Sequence, residues 1–361
     1  MRILLGKNMK LFNYKKIIIT GTLILGLSIS SLSFCGCSVK NKESTASIFA
    51  MDTYMTITAY GEKSQEAVNT ATEEINRLED LLSTNIETSE IAVINSENGG
   101  TVSKDTAYLL KKSLEFYEAT DGAYDITVYP LVYEWGFTTG DYKVPTDERI
   151  AELLPLIGSD KLHVTYTDDL EETAIVSFDE ADMMVDLGTI AKGYASEKVA
   201  EIFKEYGIEH GLINLGGNVQ LVGTKTDGSD WNVAIQKPDK DAEDTEYIGI
   251  LSASDCAVTT AGGYERYFEE DGTIYRHIFD PSTGCPTTSS LKSVSIVAKD
   301  GVTADGYDTA LYVMDLGGAI TFWEDHKDLF DVIIVAEDDT VYISENIAEA
   351  FTTDYNVEIL K

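Results

Sequence analysis

The stretch MMVDLGTIAKGYASEKVAEIFKEYG, residues 183–207, contains the clearest change from strand-like to helix-like sequence in this chain. Residues 183–187 form a short apolar run that favours a β-strand, and the following glycine suits a turn. From Ile190 to Tyr206 apolar side chains recur at helical spacing, so the sequence predicts a helix that ends before Gly207. A strand, a turn and a helix in succession predict a protein whose sheets are covered by helices.

The same alternation continues on both sides of this stretch. Before it, the patterns predict helices at 64–82, 105–119 and 147–156, and strands at 55–60, 162–166 and 173–178. After it, they predict strands at 211–215, 219–222, 231–236, 247–251, 293–297, 330–335 and 340–343, and helices at 302–314 and 318–323. We therefore expect an α+β fold, with twisted mixed sheets, flanking helices and a site in the crevice between two lobes.

The first 36 residues have the parts of a bacterial export signal. Five basic residues precede an apolar run from Ile17 to about Ile29, and small polar residues follow it. Because the run is short for a membrane span, a cleaved signal is favoured, and an uncleaved membrane anchor is the alternative. Met1 and Met9 both remain open as the translation start, since Met9 begins the more ordinary signal.

Two cysteines near the end of this signal are candidates for lipid attachment. A bacterial lipoprotein carries a small residue directly before the lipidated cysteine, so Gly36-Cys37 fits better than Phe34-Cys35. We expect a signal peptide over 1–36, a lipidated Cys37 with a polar tether over 37–47, and one domain over 48–361. This arrangement predicts a protein held by its lipid on the extracytoplasmic face of the bacterial cell membrane.

The mature chain is strongly acidic. Removal of residues 1–36 takes five basic residues from the 27 in the chain, which leaves 22 against 62 acidic residues and a formal charge of −40. This charge argues against nucleic acid as a partner, and it repels an anionic substrate unless a cation compensates. Besides the lipidated Cys37, only Cys256 and Cys285 remain in the mature chain, too few for a disulfide framework, and the sequence leaves their pairing open.

A histidine and a group of oxygen-bearing side chains provide the clearest chemistry. The segment YRHIFDPSTG carries His277, whose imidazole can accept a proton near neutral pH. The segment ADGYDTA carries Asp305, Asp308 and Thr309, spaced so that their oxygens share one face of a helix. Magnesium prefers such oxygen ligands, and a metal beside a base indicates phosphate chemistry. Taken alone, these residues fit ordinary helix capping and an inert histidine better than a metal site and a base, and only the order of the motifs along the chain reverses this.

Five short motifs follow one another along the chain. They are FAMDT at 49–53, TDGAYD at 120–125, VDLGTIAKGYA at 185–195, NLGGN at 214–218, and the pair that carries His277 and Asp305. This ordered set closely resembles the ApbE family, the FAD:protein FMN transferases, over essentially all of residues 48–340. Each motif is weak by itself, and the specificity of the resemblance lies in their order.

The resemblance implies a reaction and a metal. FAD would be held with Mg²⁺, a threonine hydroxyl of an acceptor protein would attack the phosphorus on the riboflavin side, and AMP would leave. The product would be FMN joined to the acceptor through a phosphoester. In this scheme His277 is the general base, and the metal site is formed by Thr189, Asp305, Asp308 and Thr309.

The resemblance also implies which residues bind FAD. They are Met51, Ala123, Tyr124, Asp125, Asp186, Lys192 and Ile278. Tyr124 would pack on a ring, the two aspartates would accept hydrogen bonds from adenine or ribose, and Lys192 would contact a phosphate. Two departures from the family pattern leave the shape of the flavin pocket open: the sequence TTAGGYER at 259–266, and Asp52 after Met51.

Three functions remain open from the sequence. The first is the flavin transferase, whose acceptors by resemblance would be flavin-carrying subunits of membrane redox complexes or secreted flavoproteins. The second is a metal-dependent FAD pyrophosphatase that gives FMN and AMP, in which water replaces the threonine. The third is a flavin-binding lipoprotein without catalysis, which is less favoured because binding alone requires no base beside a metal.

Overall fold

The structure of the chain is a computed structural model that describes residues 42–242 and 245–361. The predicted signal peptide and the lipidation of Cys37 lie outside the described residues. The strands are β1 (Glu43–Ala50), β2 (Thr53–Tyr60), β3 (Gly99–Ser103), β4 (Leu162–Tyr166), β5 (Thr173–Phe178), β6 (His210–Leu215), β7 (Asn218–Val222), β8 (Trp231–Gln236), β9 (Tyr247–Ala253), β10 (Ala257–Gly262), β11 (Tyr267–Glu270), β12 (Thr273–Arg276), β13 (Phe279–Asp280), β14 (Cys285–Pro286), β15 (Leu291–Ala298), β16 (Phe330–Ala336), β17 (Val341–Ser344), β18 (Phe351–Thr352) and β19 (Val357–Leu360). The helices are α1 (Ser64–Leu82), α2 (Glu90–Glu97), α3 (Lys104–Ala119), α4 (Tyr129–Glu134), α5 (Asp147–Leu153), α6 (Ala191–Glu205), α7 (Gly301–Val313), α8 (Asp315–His326) and α9 (Glu345–Ala348).

One large sheet organises these elements. Its strand order is β1-β2-β6-β7-β10-β15-β16-β17-β19, and its pairings are antiparallel except for the parallel pair β17 and β19. Two three-stranded sheets, β3-β5-β4 and β18-β9-β8, accompany it. The predicted mixture of twisted sheets and flanking helices is confirmed.

Hydrophobic side chains on the two faces of the large sheet contribute to different cores. On one face, Met55, Ile213 and Ile296 pack with the buried sides of α1, α6 and α7. On the other face, Leu221 and Ile333 pack with the sheet β18-β9-β8. This separation follows from the strand period, which sends alternate side chains to opposite faces. The result is a layer of helices, the large sheet and a smaller sheet.

A third core is aromatic and belongs to the part of the chain that leads to His277. Trp135 and Phe137 pack against Phe268 and Phe279, with ring centroids 5.6–6.4 Å apart. Aromatic pairs at such distances stabilise the fold beyond their buried area. This core therefore fixes the β11–β12 hairpin, which ends immediately before the candidate base.

Two tight hairpin turns lie side by side at one edge of the large sheet. Met51 and Asp52 connect β1 to β2, and Gly216 and Gly217 connect β6 to β7; all four residues have positive φ. Positive φ at both turn positions is what type I′ hairpins require. Because β2 pairs with β6, the turns are neighbours, and a Cβ on Gly216 would overlap the side chain of Thr53.

The prediction of a strand at 183–187 is wrong. The main chain of Val185 is paired instead with a side chain: its N–H donates to Asn95 Oδ1 over 2.8 Å, and its carbonyl accepts from Asn95 Nδ2 over 2.9 Å. The next N–H, from Asp186, donates to the carbonyl of Ile126. An apolar run indicates burial, but it does not reveal that a side-chain amide takes the place of a neighbouring strand.

The predicted polar tether over 37–47 is wrong for its last five residues. Strand β1 begins at Glu43 and pairs with β2 from Glu43↔Tyr60 to Ala50↔Thr53. Its polar side chains are used locally, since the Ser44 hydroxyl lies 2.8 Å from that of Ser64. Ladder hydrogen bonds come from the main chain, so a polar edge strand resembles a linker in sequence. The folded domain therefore begins at residue 43 and not at 48.

Two further expectations meet the structure here. Cys256 and Cys285 are both free thiols. Within residues 42–242 and 245–361, none of the helices combines the length and the apolar character that crossing a membrane demands.

Candidate active site

The site is built around a close crossing of α6 and α7. Gly193, in the first turn of α6, lies so near α7 that an added Cβ would overlap the carbonyl oxygen of Gly301. At this crossing the Gly193 N–H donates to Asp305 Oδ2 over 2.8 Å. The first N–H groups of a helix have no partner within it, and a carboxylate satisfies them well. The crossing thus fixes one oxygen of Asp305.

Asp305 and Asp308 are both 4% exposed, inside α7 and not at its start. The helix is capped by Asp300, whose side chain accepts from the Thr303 N–H. The capping interpretation of the two aspartates is therefore wrong. Burial, and next the negative charge of Asp305, raise the pKa of Asp308 well above its usual range. Two buried acids placed together indicate a site that is completed by a cation.

Two threonine hydroxyls were predicted to complete the site, and the structure gives each a different partner. The Thr309 hydroxyl donates to Asp308 Oδ1 over 3.1 Å. The Thr189 hydroxyl, from the turn before α6, donates to the Tyr124 hydroxyl over 3.1 Å. Burial raises the pKa of Tyr124, and the charge of Asp305 raises it further, which places Asp305 near this hydroxyl as well. Asp305, Asp308 and Thr309 thus lie together on α7, Thr189 is held on the Tyr124 hydroxyl, and metal binding by these four residues stays a prediction.

The chemistry of these donors fits a divalent cation. Among the described ranges 42–242 and 245–361, no three His, Cys, Asp or Glu side chains come together as a metal site. A cation here would rely on the carboxylates of Asp305 and Asp308, supplemented by oxygens of Thr189 and Thr309. Oxygen ligands of this kind suit Mg²⁺, which keeps several of its own waters.

Lys192 lies between the acidic pair and the rest of the site. Its Nζ is 4.0 Å from Asp305 Oδ1 and donates to the Gly188 carbonyl over 3.3 Å. The pKa of Lys192 is raised, mainly by the negative charge of Asp305. Burial acts in the opposite direction but is the smaller effect. Lys192 is therefore a fixed positive charge at this position, as a phosphate contact requires.

His277 is held in one tautomer. Its Nδ1 lies 3.1 Å from the main-chain carbonyl oxygen of Arg266, which can only accept, so the proton is on Nδ1. The His277 main-chain N–H donates to the same oxygen over 3.0 Å. In the described part of the chain no hydrogen-bond partner reaches Nε2. The lone pair on Nε2 is left to accept a proton.

The surroundings of His277 keep it neutral. Burial, and then the positive charges of Arg266 and Lys192, lower its pKa to about 4. Lys192 thus connects the two groups, because its charge acts on His277 and its Nζ lies 4.0 Å from Asp305 Oδ1. A neutral imidazole with a free Nε2 can act as a general base throughout the physiological range.

Asp186 connects this site to the neighbouring hairpin turns. Its Oδ1 accepts from the Gly188 N–H over 3.0 Å, and burial raises its pKa. Lys192 and Arg266 act against this shift, whereas Asp52 of the β1–β2 turn adds to it. Met51, in the same turn, is fixed by the bond from its N–H to Glu79 Oε1, 2.8 Å long. Asp186 is thus close enough to Asp52 for their charges to interact, and contact of Met51 and Asp186 with a flavin stays a prediction.

Four other predicted FAD contacts are more enclosed. Tyr124 is 1% exposed and packs edge-on against Phe116, so it is a core residue that reaches the site only through its hydroxyl. Asp125 Oδ1 accepts from the hydroxyls of Thr127 and Ser159 over 2.6 and 2.7 Å. Ala123 is half-buried beside them. Ile278 is 5% exposed in the main core. Direct contact of these residues with FAD stays a prediction.

The structure adds residues to which the sequence assigned no role. Arg266, the last residue of the segment TTAGGYER, supplies the main-chain carbonyl that orients His277. Thr259 lies beside Asp308 and lowers the pKa of that carboxyl. The sequence shows that Arg266 lies eleven residues before His277, a separation that a β-hairpin can span. The hydrogen bond between the Arg266 carbonyl and the imidazole could not be predicted without knowing that the hairpin forms.

Two solved structures have the same fold. The ApbE protein of Thermotoga maritima superposes with a TM-score of 0.77 at 31% identity and covers 86% of this chain and 99% of its own. The flavin transferase ApbE from Vibrio cholerae gives a TM-score of 0.72 at 29% identity and covers 87% of this chain and 97% of its own.

Curated sequences agree with the structures. A Vibrio cholerae protein named FAD:protein FMN transferase is 36% identical over 255 residues, which are 69% of this chain and 73% of the relative. A Haemophilus influenzae protein of the same name is 30% identical over 296 residues, 80% of this chain and 83% of the relative. The sequence profile of the ApbE family matches residues 51–334. The chain therefore belongs to the ApbE family.

Proposed function

We propose that this enzyme transfers FMN from FAD to a threonine of an acceptor protein, with Mg²⁺ and with release of AMP. The observation that carries the proposal is the neutral His277, oriented by the Arg266 carbonyl and linked through Lys192 to two buried aspartates. A site for flavin binding alone has no need of such a base. The names of the relatives support the flavin-transfer part of this proposal.

His277 would act on the acceptor. Its Nε2 would take the proton of the threonine hydroxyl as the oxygen forms a bond to the phosphorus on the riboflavin side of FAD. The bond between that phosphorus and the bridging oxygen would break, and AMP would leave with the bridging oxygen and its electron pair. The ring needs no reorientation for this step, because its Nδ1–H already has an acceptor.

The acidic pair would hold the metal. Asp305 and Asp308 would bind Mg²⁺ together with Thr189 and Thr309, and the ion would neutralise charge that develops on the leaving phosphate. Tyr124 would orient Thr189 through the hydrogen bond between their hydroxyls. Lys192 would remain as a counter-charge to the diphosphate when the metal occupies the carboxylates.

Two variants test the separate roles of base and metal site. We expect His277→Ala to lose FMN transfer at least 100-fold while FAD affinity stays within about threefold, because the base acts only in the chemical step. We expect Asp305→Asn to weaken Mg²⁺ binding in a titration calorimeter as well as transfer. Glu115→Gln, exposed on α3, is the control. Transfer at the wild-type rate by His277→Ala would contradict the assignment of the base.

We further propose that the enzyme works outside the cytoplasm, lipid-anchored through Cys37, on flavin-carrying subunits of membrane redox complexes or on secreted flavoproteins. The proposal rests on the export signal and on Gly36-Cys37 in the sequence. Cys37→Ser in the full chain should move the protein from the membrane fraction to the soluble fraction, while Cys35→Ser should not. Membrane association of Cys37→Ser equal to that of the wild type would contradict the lipid anchor.

A further inference from the structure

Arg266 differs from the other described arginines in having no acidic partner. Within residues 42–242 and 245–361, Arg77, Arg149 and Arg276 each have a carboxylate oxygen at 3.4 Å or less. Arg266 has none within 4.0 Å in the same residues, and the only hydrogen bond of its guanidinium there is a long one, 3.5 Å, to the carbonyl of Phe137. In a chain with 62 acidic and 27 basic residues, an unpaired guanidinium is unusual.

The position of Arg266 is fixed by the site itself. Its main-chain carbonyl accepts hydrogen bonds from the main-chain N–H of His277, over 3.0 Å, and from the imidazole Nδ1–H, over 3.1 Å. These two bonds hold the residues together across the β11–β12 hairpin. The aromatic core that holds this hairpin limits movement of the main chain. The side chain, in contrast, is exposed and free to meet a ligand.

The charges around Arg266 indicate the sign of that ligand. Asp186 and Glu265 lie within its electrostatic reach but form no ion pair with it, and Lys192 acts on both carboxylates as well. Both positive charges act on His277; Lys192 lies 4.0 Å from Asp305 of the acidic pair, and the Arg266 main chain is bonded to the imidazole. A diphosphate carries two negative charges, and the planar guanidinium fork binds phosphate oxygens two at a time.

We propose that the Arg266 guanidinium binds the diphosphate of FAD beside His277. The inference rests on the proposed function for the identity of the ligand, and it adds a substrate-binding residue to the site. The same positive charge adds to the effect of burial in lowering the pKa of the neighbouring imidazole, so Arg266 would act on both the diphosphate and the base. Its carbonyl would position the ring, and its side chain would hold the group that is attacked.

Ligand binding without an acceptor tests this role. Fluorescence titration of residues 38–361 would give the Kd of FAD and of riboflavin, which lacks the phosphates, for the wild type, Arg266→Gln, Arg266→Lys and the control Arg149→Gln. We expect Arg266→Gln to weaken FAD binding about tenfold or more and riboflavin binding less than twofold. Arg266→Lys should lie between, and Arg149→Gln should match the wild type.

The outcomes separate this inference from the proposed function. An FAD affinity of Arg266→Gln within twofold of the wild type, or an equal loss for FAD and riboflavin, would overturn the phosphate contact. Wild-type protein that binds FAD but modifies no acceptor would contradict the transferase assignment. In that case the FAD and riboflavin titrations would still decide whether Arg266 binds the diphosphate. Nuclear magnetic resonance of His277 gives a second readout: its pKa should rise by about one unit in Arg266→Gln.

Discussion

At the residue scale, each reactive group of the site is held by one or two hydrogen bonds that leave an atom available for a ligand. The Nδ1–H of His277 donates a hydrogen bond to a main-chain carbonyl, and Nε2 is left without a partner among the described residues. One carboxylate oxygen of Asp305 accepts from the Gly193 N–H, and the other lies 4.0 Å from Lys192 Nζ. The residue types and their spacing could be read from the sequence. The tautomer, the burial and the unpaired Arg266 could not, because each depends on contacts between distant segments.

The pH dependence of kcat/KM tests the state of the base. Burial lowers the pKa of His277 to about 4, so the neutral form is present above this pH and is lost as pH falls through it. We expect the acid limb of kcat/KM to have its midpoint well below the ordinary histidine value of about 6.5. A profile that falls to half near pH 6.5, and that keeps this midpoint in Arg266→Gln, would show that the ring ionises normally.

At the element scale, the crossing of α6 and α7 is what places the acidic pair. The sequence predicted both helices to within one or two residues, because their apolar periodicity is regular. It could not predict that two glycines let the helices touch, since Gly193 and Gly301 are 108 positions apart in sequence. The missed strand β1 and the wrong strand at 183–187 have the same origin, since main-chain pairing leaves little trace in side-chain pattern.

Substitution of Gly193 by alanine tests this contact. The new Cβ would overlap Gly301 and press on Asp305, so we expect a loss of about 1–3 kcal/mol in the free energy of unfolding and a larger loss of FMN transfer. Gly317→Ala, at an exposed position of α8, is the matched control, because the new Cβ meets nothing within 4 Å. Alanine is the better helix former, so this substitution should raise the free energy of unfolding by up to about 1 kcal/mol. Both quantities come from denaturation curves and transfer assays; unchanged stability in Gly193→Ala would contradict the close crossing.

At the scale of the whole molecule, a large and mostly antiparallel sheet carries the site at its helical side, in a chain with 62 acidic and 27 basic residues. The fold class and the order of most elements could be predicted, because each long element has its own periodicity. The separation into three cores could not, since it depends on which face of the sheet each strand presents. Stability should depend on pH through partly buried carboxyls such as Glu197, which accepts the Val302 N–H over 2.7 Å at the start of α7.

Glu197 makes the folded protein less stable as pH rises. Burial raises its pKa from 4.5 to about 7, so the folded state binds more protons than the unfolded state between these values. The free energy of unfolding should therefore decrease from about pH 4.5 to about pH 7, by up to about 3 kcal/mol from this group. Glu197→Gln should remove that decrease in urea denaturation, and exposed Glu115→Gln should keep it. An identical slope in Glu197→Gln would show that the carboxyl is already ionised.

The most direct test of the central claim is to follow the acceptor and the oxygen atoms together. Residues 38–361, FAD, Mg²⁺ and a threonine-bearing acceptor domain would be incubated in ¹⁸O-labelled water and measured by intact mass spectrometry. If the threonine attacks, the acceptor gains one FMN, AMP appears in equal amount, and no product contains ¹⁸O. An unmodified acceptor with ¹⁸O in free FMN or AMP would mean that water attacks, and the enzyme would be an FAD pyrophosphatase instead.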